Sequence, residues 1–392
     1  MPTLEHRLER VAQAALEVVF PACSLVVRHR GQVKFERAWG TIDPQTRQIP
    51  CHIDTLFDLA SLTKLFTVTA FLSIAAAQHV PLDDPLVSVI PEFGAFGARG
   101  LDGGVDPHSK QPYPVMDFVR DVMVDPSQVT FQHLLTHTSG LAAWRPVYAV
   151  AGDTPPPPDQ IDPLSPPMRW ARALAYLCTT PFVAQPGKQL LYSDLGLMLL
   201  GEATARLSAQ PLQTVIEHVL APFSTPDSPV FRPVDHGVKR DQIAPTEFDV
   251  TWRKRRIWGE VHDENACGVG GVAGHAGLFG TAQGMAAFGQ WWLGQLESEL
   301  WAADAVREYV VSGNERRGLG WMLKSPANAS AGDLFSTDSF GHTGFTGTSL
   351  WVDPHAQTVV ALLTNSVYGG REKGGTHEFR RAVHHEVAES LI

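Results

Sequence analysis

Apolar positions along the chain fall into two periods, one helical and one strand-like, and their order along the sequence suggests the architecture. Leu4, Leu8, Val11, Ala15 and Val18 share one face of an N-terminal amphipathic helix. A second, almost wholly apolar helix is expected from about residue 61 to 77, and amphipathic helices over about 168–178, 193–206, 211–221 and 281–297. A terminal helix over about 377–391 closes the chain and leaves His384 and His385 in solvent. Strand patterns lie towards the ends. Two β-like runs within 23–40 flank Arg30-Gly31-Gln32 and read as a hairpin, and 318–324, 347–354 and 358–365 read as further strands. Residues 94–128, rich in Gly, Pro and Asp, look like a surface insertion, and "DTPPPPDQIDPLSPP" excludes regular helix or interior strand. Strands at both ends with helices between suggest a discontinuous α/β layer, residues 1–93 and 270–392, carrying a helical insertion at 94–269.

Composition narrows the function. The 392 residues are 44% apolar and 18% charged, as in ordinary globular enzymes, with a net charge of −10 and no basic run. Nucleic-acid binding needs clustered Lys and Arg, and anionic membranes repel a net negative surface, so neither partner is expected. The four cysteines, at 23, 51, 178 and 267, have no metal-ligand spacing and read as free buried thiols of a reducing compartment. The N-terminus has no signal-peptide pattern and no apolar run reaches membrane-spanning length, so a cytoplasmic protein is expected.

Three short motifs carry candidate chemistry. In "DLASLTKLFTVTA", Ser61 and Lys64 lie three apart on one helix face, near helix-start N–H groups that favour an anion. A serine hydroxyl needs such a neighbour to become a nucleophile, although a short motif also arises by chance. In "LLYSDLGLMLLGE", Tyr192 precedes a helix for which Ser193 or Asp194 is a natural N-cap, so packing alone could account for it. In "FGHTGFTGTSLWVDP", His342-Thr343-Gly344 stands where a loop becomes a strand.

Taken in order, Ser-x-x-Lys, Tyr-Ser-Asp and His-Thr-Gly resemble the serine β-lactamase and penicillin-binding-protein superfamily, and most closely its class C β-lactamase-like branch of esterases and D-amino-acid peptidases. The segments "PLDDPLVSVIPEF", "VTFQHLLTHTSGL", "VHDENACGVGGVAGHAGLFGTA" and "VVALLTNSVY" extend the resemblance over about residues 10–390. It implies an α+β fold: a five-stranded antiparallel sheet flanked by helices, plus a mostly helical domain, with the site between them. It implies Ser61 as acylated nucleophile, Lys64 as its helper, and Tyr192 as general base for acylation and for the deacylating water. It implies an oxyanion hole from the N–H groups of Ser61 and Phe345, and substrate contacts from Asp194, His342, Thr343, Gly344, Trp144 and Asn365. No metal or cofactor is implied; the partner is a small acyl substrate. For Tyr192 to act as a base its pKa must fall far below 10, with Lys64 and His342 as the candidate causes.

Two departures bear on the substrate. Asp194 stands where penicillin-recognising members often carry Asn, so it only accepts hydrogen bonds and would hold Lys64 charged. His342 replaces a common lysine and attracts a substrate carboxylate less well. Both favour a carboxylesterase over an efficient β-lactamase. A D-amino-acid peptidase or amidase acting on cell-wall fragments is the alternative, and a non-catalytic binder or sensor is the reading from another class.

Other residues stay open at this level. His133 and His137 have zinc-like spacing but no evident third ligand and read as structural. "VHDENA" is either a self-bonded polar loop or a border of the cleft, while His275 reads as structural. Trp144 and Tyr148 are either pocket walls or core.

Overall fold

The computed structural model describes residues 2–43, 45–106, 109–114, 121–223, 228–372 and 374–392. Its frame is one antiparallel sheet. The strands are β1 (Ala22–His29), β2 (Gln32–Gly40), β3 (Val310–Ser312), β4 (Glu315–Arg317), β5 (Met322–Leu323), β6 (Phe340–Thr343), β7 (Ser349–Asp353) and β8 (Thr358–Thr364). Their spatial order is β3-β4-β5-β6-β7-β8-β1-β2. The sheet is therefore wider than the five strands expected: the apolar pattern finds β1, β2, β7 and β8 and places β5 within 318–324, but misses β3, β4 and β6. Strands of two to four residues are too short to show alternation, so the pattern passes over these three. The strand expected over 318–324 shrinks to β5 because residues 318–321 form a turn, Gly318 N donating to Trp321 O at 3.0 Å.

The central strands are buried on both faces, which explains their nearly continuous apolar runs. Val26 of β1 pairs with Ala361 of β8 and Leu25 with Leu362, and the two pairs face opposite cores. One face is covered by α1 (Leu4–Ala15) and the terminal helix, α6 (Thr376–Leu391). The other belongs to a large core that runs through α2 (Thr63–Gln78), α3 (Asp194–Ser208) and α5 (Ala282–Ser298), so the sheet and the helical stretch share one apolar interior. The β1–β2 hairpin turns at Arg30 and Gly31, with φ of 52° and 77°, the left-handed pair that matches the twist of its strands.

Three expectations need correction. α1 ends at Ala15 and Glu17 turns left-handed at φ 64°, which leaves Val18 exposed rather than on the helix face. His384 faces the core of the α6 side, fully buried, its Nδ1 2.7 Å from Arg380 O and its ring edge-on to Phe335; only His385 is exposed. Finally, Ala60–Gln78 does have the length, 19 residues, and the mean hydropathy, 1.5 over an 18-residue window, of a membrane span, yet it forms the buried central helix, packed on α3 and the helix Leu212–Leu220. An all-round apolar helix suits either setting, and here neighbouring helices and the sheet supply the cover.

Candidate active site

The three motifs meet in a cleft of about 230 Å³ bordered by Ser61, Tyr192, Asp194, Trp144 and Phe345. Ser61 lies in a single 3-10 turn, Ala60–Leu62, that leads into α2. Ala60 just before it holds φ at 47°, a strained value for a residue with a Cβ. Asp58 fixes that bend: its Oδ1 accepts from Ala60 N at 2.8 Å and its Oδ2 from His262 N at 2.6 Å. Burial pushes the Asp58 carboxyl up to about 6 despite these two donors.

Lys64, one turn along, is buried, with two hydrogen bonds and an ion pair. Its Nζ lies 2.9 Å from Ser61 Oγ, 3.0 Å from His275 O and 2.8 Å from Asp194 Oδ1, the last an ion pair off the hydrogen-bond line. Burial disfavours the ammonium, but the Asp194 carboxylate and then Tyr192 outweigh it and hold the pKa above its usual value. The expectation that Asp194 keeps Lys64 charged agrees with this geometry.

Tyr192 sits just before Ser193, which N-caps α3: Ser193 Oγ accepts from Gly196 N at 3.2 Å. The capping reading of that motif is thus correct, and it also aims the preceding tyrosine. The Tyr192 ring centroid is 5.0 Å from Lys64 Nζ, and its buried hydroxyl has no directed hydrogen bond among the described residues. The expected fall in its pKa does not occur. Burial pushes the phenol above 10, and Lys64 recovers only part of that while Asp194 adds to it.

His342, on β6, lies behind Tyr192, its ring 5.9 Å away, and is not part of the cleft wall. Its Nδ1 donates to Thr343 O at 2.8 Å. Burial, with the charges of Arg317 and Lys64, pushes it well below 6.5, so it carries no charge that could lower the tyrosine. His137 also packs against the phenol, its ring tilted and 4.6 Å away, with Nδ1 accepting from Ser193 N at 3.1 Å, and is likewise held neutral by burial. Its partner in the zinc-like spacing, His133, closes a helix capping box with Thr130. That pair is structural, as expected, and His137 gains a role in seating Tyr192.

The turn after β6 is pressed onto the backbone before Ser61. Thr346 Oγ1 donates to Asp58 O at 2.7 Å and Thr348 Oγ1 to Leu59 O at 3.0 Å. A Cβ on Gly344 would stand 2.0 Å from Thr348 Oγ1 and 2.7 Å from Leu59 O, so only glycine permits the approach. This brings Phe345 into the cleft. Thr343 and Gly344 shape that turn, whereas Asn365 stands apart, donating to Pro245 O and accepting from Ala22 N within the fold. Trp144 is a cleft wall; Tyr148 packs beside it on Trp252 and does not border the cleft.

The opposite wall was largely missed from the sequence. His262, Asp263, Glu264, His275, Lys110 and Arg371 all border the cleft. Asp263 N-caps α4 (Glu264–Gly268), and its Oδ1 also lies 2.8 Å from His275 Nε2. Asn265 ties α4 to the Trp144 loop, accepting from Tyr148 N at 3.0 Å and donating to Arg145 O at 2.9 Å. Arg371 binds Glu247 and Glu264, and Lys110 lies 3.4 Å from Glu264 and 3.8 Å above the Trp144 ring. The loop "VHDENA" thus borders the cleft, the sharper of its two readings, and so does His275, which reads as structural from the sequence. Lys110 lay hidden in what reads as a surface insertion. Asp194, Asp263 and His275 bring donor atoms within 4.8 Å of one another, a spacing that could hold a cation, and Lys64 already brings one to Asp194.

A sequence pattern of the β-lactamase family matches residues 8–385. The chain belongs to the β-lactamase family. It is a serine hydrolase of that family, with the mixed helix-and-sheet β-lactamase/transpeptidase-like fold. Among its relatives is a protein of Escherichia coli (strain K12) named "Putative D-alanyl-D-alanine carboxypeptidase", 28% identical over 388 residues that cover 92% of this chain and 82% of that one. Solved structures with the fold include EstCE1, titled a hydrolase with promiscuous acyltransferase activity, at TM-score 0.71 and 21% identity over 98% of each chain. A class C β-lactamase mutant aligns at TM-score 0.68 and 18% identity over 99% of this chain and 97% of that one.

Proposed function

We propose that this family member is a carboxylesterase-type acyl hydrolase that works through an ester on Ser61. The observation that carries the reading is the 2.9 Å contact of Lys64 Nζ with Ser61 Oγ inside the cleft that Tyr192 borders. Lys64 starts as an ammonium and Tyr192 as a neutral phenol, so neither is a ready base. The proton therefore moves in a relay. Ser61 gives its proton to the Tyr192 oxygen as it attacks the acyl carbon, and the original phenol proton passes to the departing alkoxide. Water reverses the sequence: it gives a proton to Tyr192, Tyr192 returns one to Ser61 Oγ, and the acid leaves. Lys64 stays charged throughout and stabilises the developing anions, while the N–H groups of Ser61 and Phe345 receive the carbonyl oxygen.

The ester preference rests on the third motif. A neutral His342 behind Tyr192 offers no charge to a substrate carboxylate. The names of the curated relatives favour a second reading, a D-alanyl-D-alanine carboxypeptidase, and Arg371 on the cleft wall is the group that would bind the peptide carboxylate. Glu247 and Glu264 already hold that guanidinium. Hydrolysis of short-chain p-nitrophenyl esters, a D-alanyl-D-alanine peptide and a penicillin, compared by kcat/KM, separates the readings. Esters leading by tenfold or more supports the esterase; the peptide leading replaces it with the carboxypeptidase.

A further inference from the structure

The segment 261–282 leaves one corner of the cleft furnished with acceptors. Asp263 makes both of its contacts, to Ala266 N at 2.7 Å and to His275 Nε2 at 2.8 Å, through Oδ1. Its Oδ2 accepts nothing from the described residues, and the side chain keeps 20% of its surface open on the cleft. Beside it, His275 donates from Nε2 to the carboxylate, and its Nδ1 is buried without a partner. Asp194 is the third member, its polar atoms within 4.8 Å of the other two. Two carboxylates here face one fixed ammonium, Lys64, which donates to Ser61 Oγ and His275 O and lies 2.8 Å from Asp194 Oδ1. The cations of the far rim do not relieve this corner, since Arg371 and Lys110 are drawn to Glu247 and Glu264. A corner rich in acceptors and short of donors favours a ligand that brings N–H groups and positive charge.

We infer that Asp263 selects substrates bearing a primary ammonium close to the scissile carbonyl, the aminoacyl esters and amides, with Asp263 Oδ2 as the receiving atom. This rests on the Ser61 reading and names the substrate class of that same cleft. The nucleophile and the corner share one cleft, and Lys64 Nζ touches both Ser61 Oγ and the Asp194 carboxylate. In this arrangement an ammonium two bonds from the acyl carbon pairs with Asp263 Oδ2 while the carbonyl stays at the serine.

Asp263→Asn is a sharp probe. Asparagine keeps an Oδ1 for Ala266 N and His275 Nε2 and can still cap α4, while Oδ2 becomes an uncharged N–H donor that opposes an ammonium. The experiment measures kcat/KM for alanine methyl ester and methyl propionate by pH-stat, a pair that differs only in the amine. The ratio between the two, compared across enzymes, cancels their intrinsic reactivities. In the native protein alanine methyl ester leads, and in Asp263→Asn the ratio falls by about tenfold or more, as expected when a charge-assisted bond is lost. An unchanged ratio overturns the inference. If the variant does not fold, the native enzyme is tested instead, with propylammonium and propanol as inhibitors of methyl propionate hydrolysis. Inhibition at least about tenfold stronger by the cation supports the corner; equal inhibition overturns it. Failure of the Ser61 reading is distinct, since Ser61→Ala would then still hydrolyse both esters.

Discussion

The two flanks of Tyr192 differ in kind. Behind it, His137 and His342 press on the phenol as neutral rings, each with one nitrogen tied to backbone and the other unpartnered. In front, Asp194, Asp263, Glu264, Lys64, Lys110 and Arg371 form a charged wall. The back desolvates and seats the phenol; the front fixes the charges that the reaction develops against. The contrast explains why Tyr192 is pushed up in pKa while Lys64 beside it stays charged. In low dielectric an unpaired phenolate is costly, and an ammonium with its own carboxylate is not.

Variants on the two flanks sharpen this contrast, and the largest effect belongs to the front. Ser61→Ala removes the nucleophile and is expected to lower kcat for ester hydrolysis by at least about 10³-fold. Tyr192→Phe keeps the ring against its two histidines but breaks the relay, costing about 10²–10⁴-fold in kcat with KM little changed. The relay has a pH signature as well. A base that had to be tyrosinate would make kcat/KM climb tenfold per pH unit below a pKa above 10, whereas a neutral phenol passing protons gives a flat profile from pH 7 to 9. A tenfold climb per unit would return Tyr192 to the role of a preformed base. Asp194→Asn withdraws the carboxylate that supports the Lys64 charge, so kcat falls by about 10-fold or more while the fold is kept, as far-UV and near-UV circular dichroism would show.

The smallest effect is on stability, away from the cleft. Burial holds His384 near a pKa of about 4, below its usual 6.5. A depressed pKa means that the folded state resists protonation. Its contribution is complete above pH 6.5 and is lost as pH falls towards 4, by about 3 kcal/mol. Urea unfolding at pH 7 and pH 4 measures this against His384→Gln, which lacks the titration. Equal losses in both proteins would mean that the ring is solvated.

The sequence shows the front and the frame unequally. β1, β2, β7, β8 and the main helices are legible because each carries a full period of apolar residues. β3, β4 and β6 are not, because two to four residues hold too little period, and β5 is read too long as 318–324. Ser61, Lys64 and Tyr192 are legible through motif order. Asp263, Lys110 and Arg371 are brought to the cleft only by long-range folding, from a loop, an insertion and the turn before α6. His342 fails differently: its motif is in place, but burial turns the ring from a substrate contact into a neutral support for Tyr192. The direction of the Tyr192 shift is hidden for the same reason, since burial, its largest cause, cannot be read from residue spacing.

The central claim is that acyl transfer passes through Ser61. Mass spectrometry of the protein after brief mixing with a fluorophosphonate, and in parallel with a slow ester, tests it most directly. The account predicts one adduct per chain, mapped to the peptide containing Ser61 and absent from Ser61→Ala. An adduct on any other residue, or ester turnover at the native rate in Ser61→Ala, would contradict it.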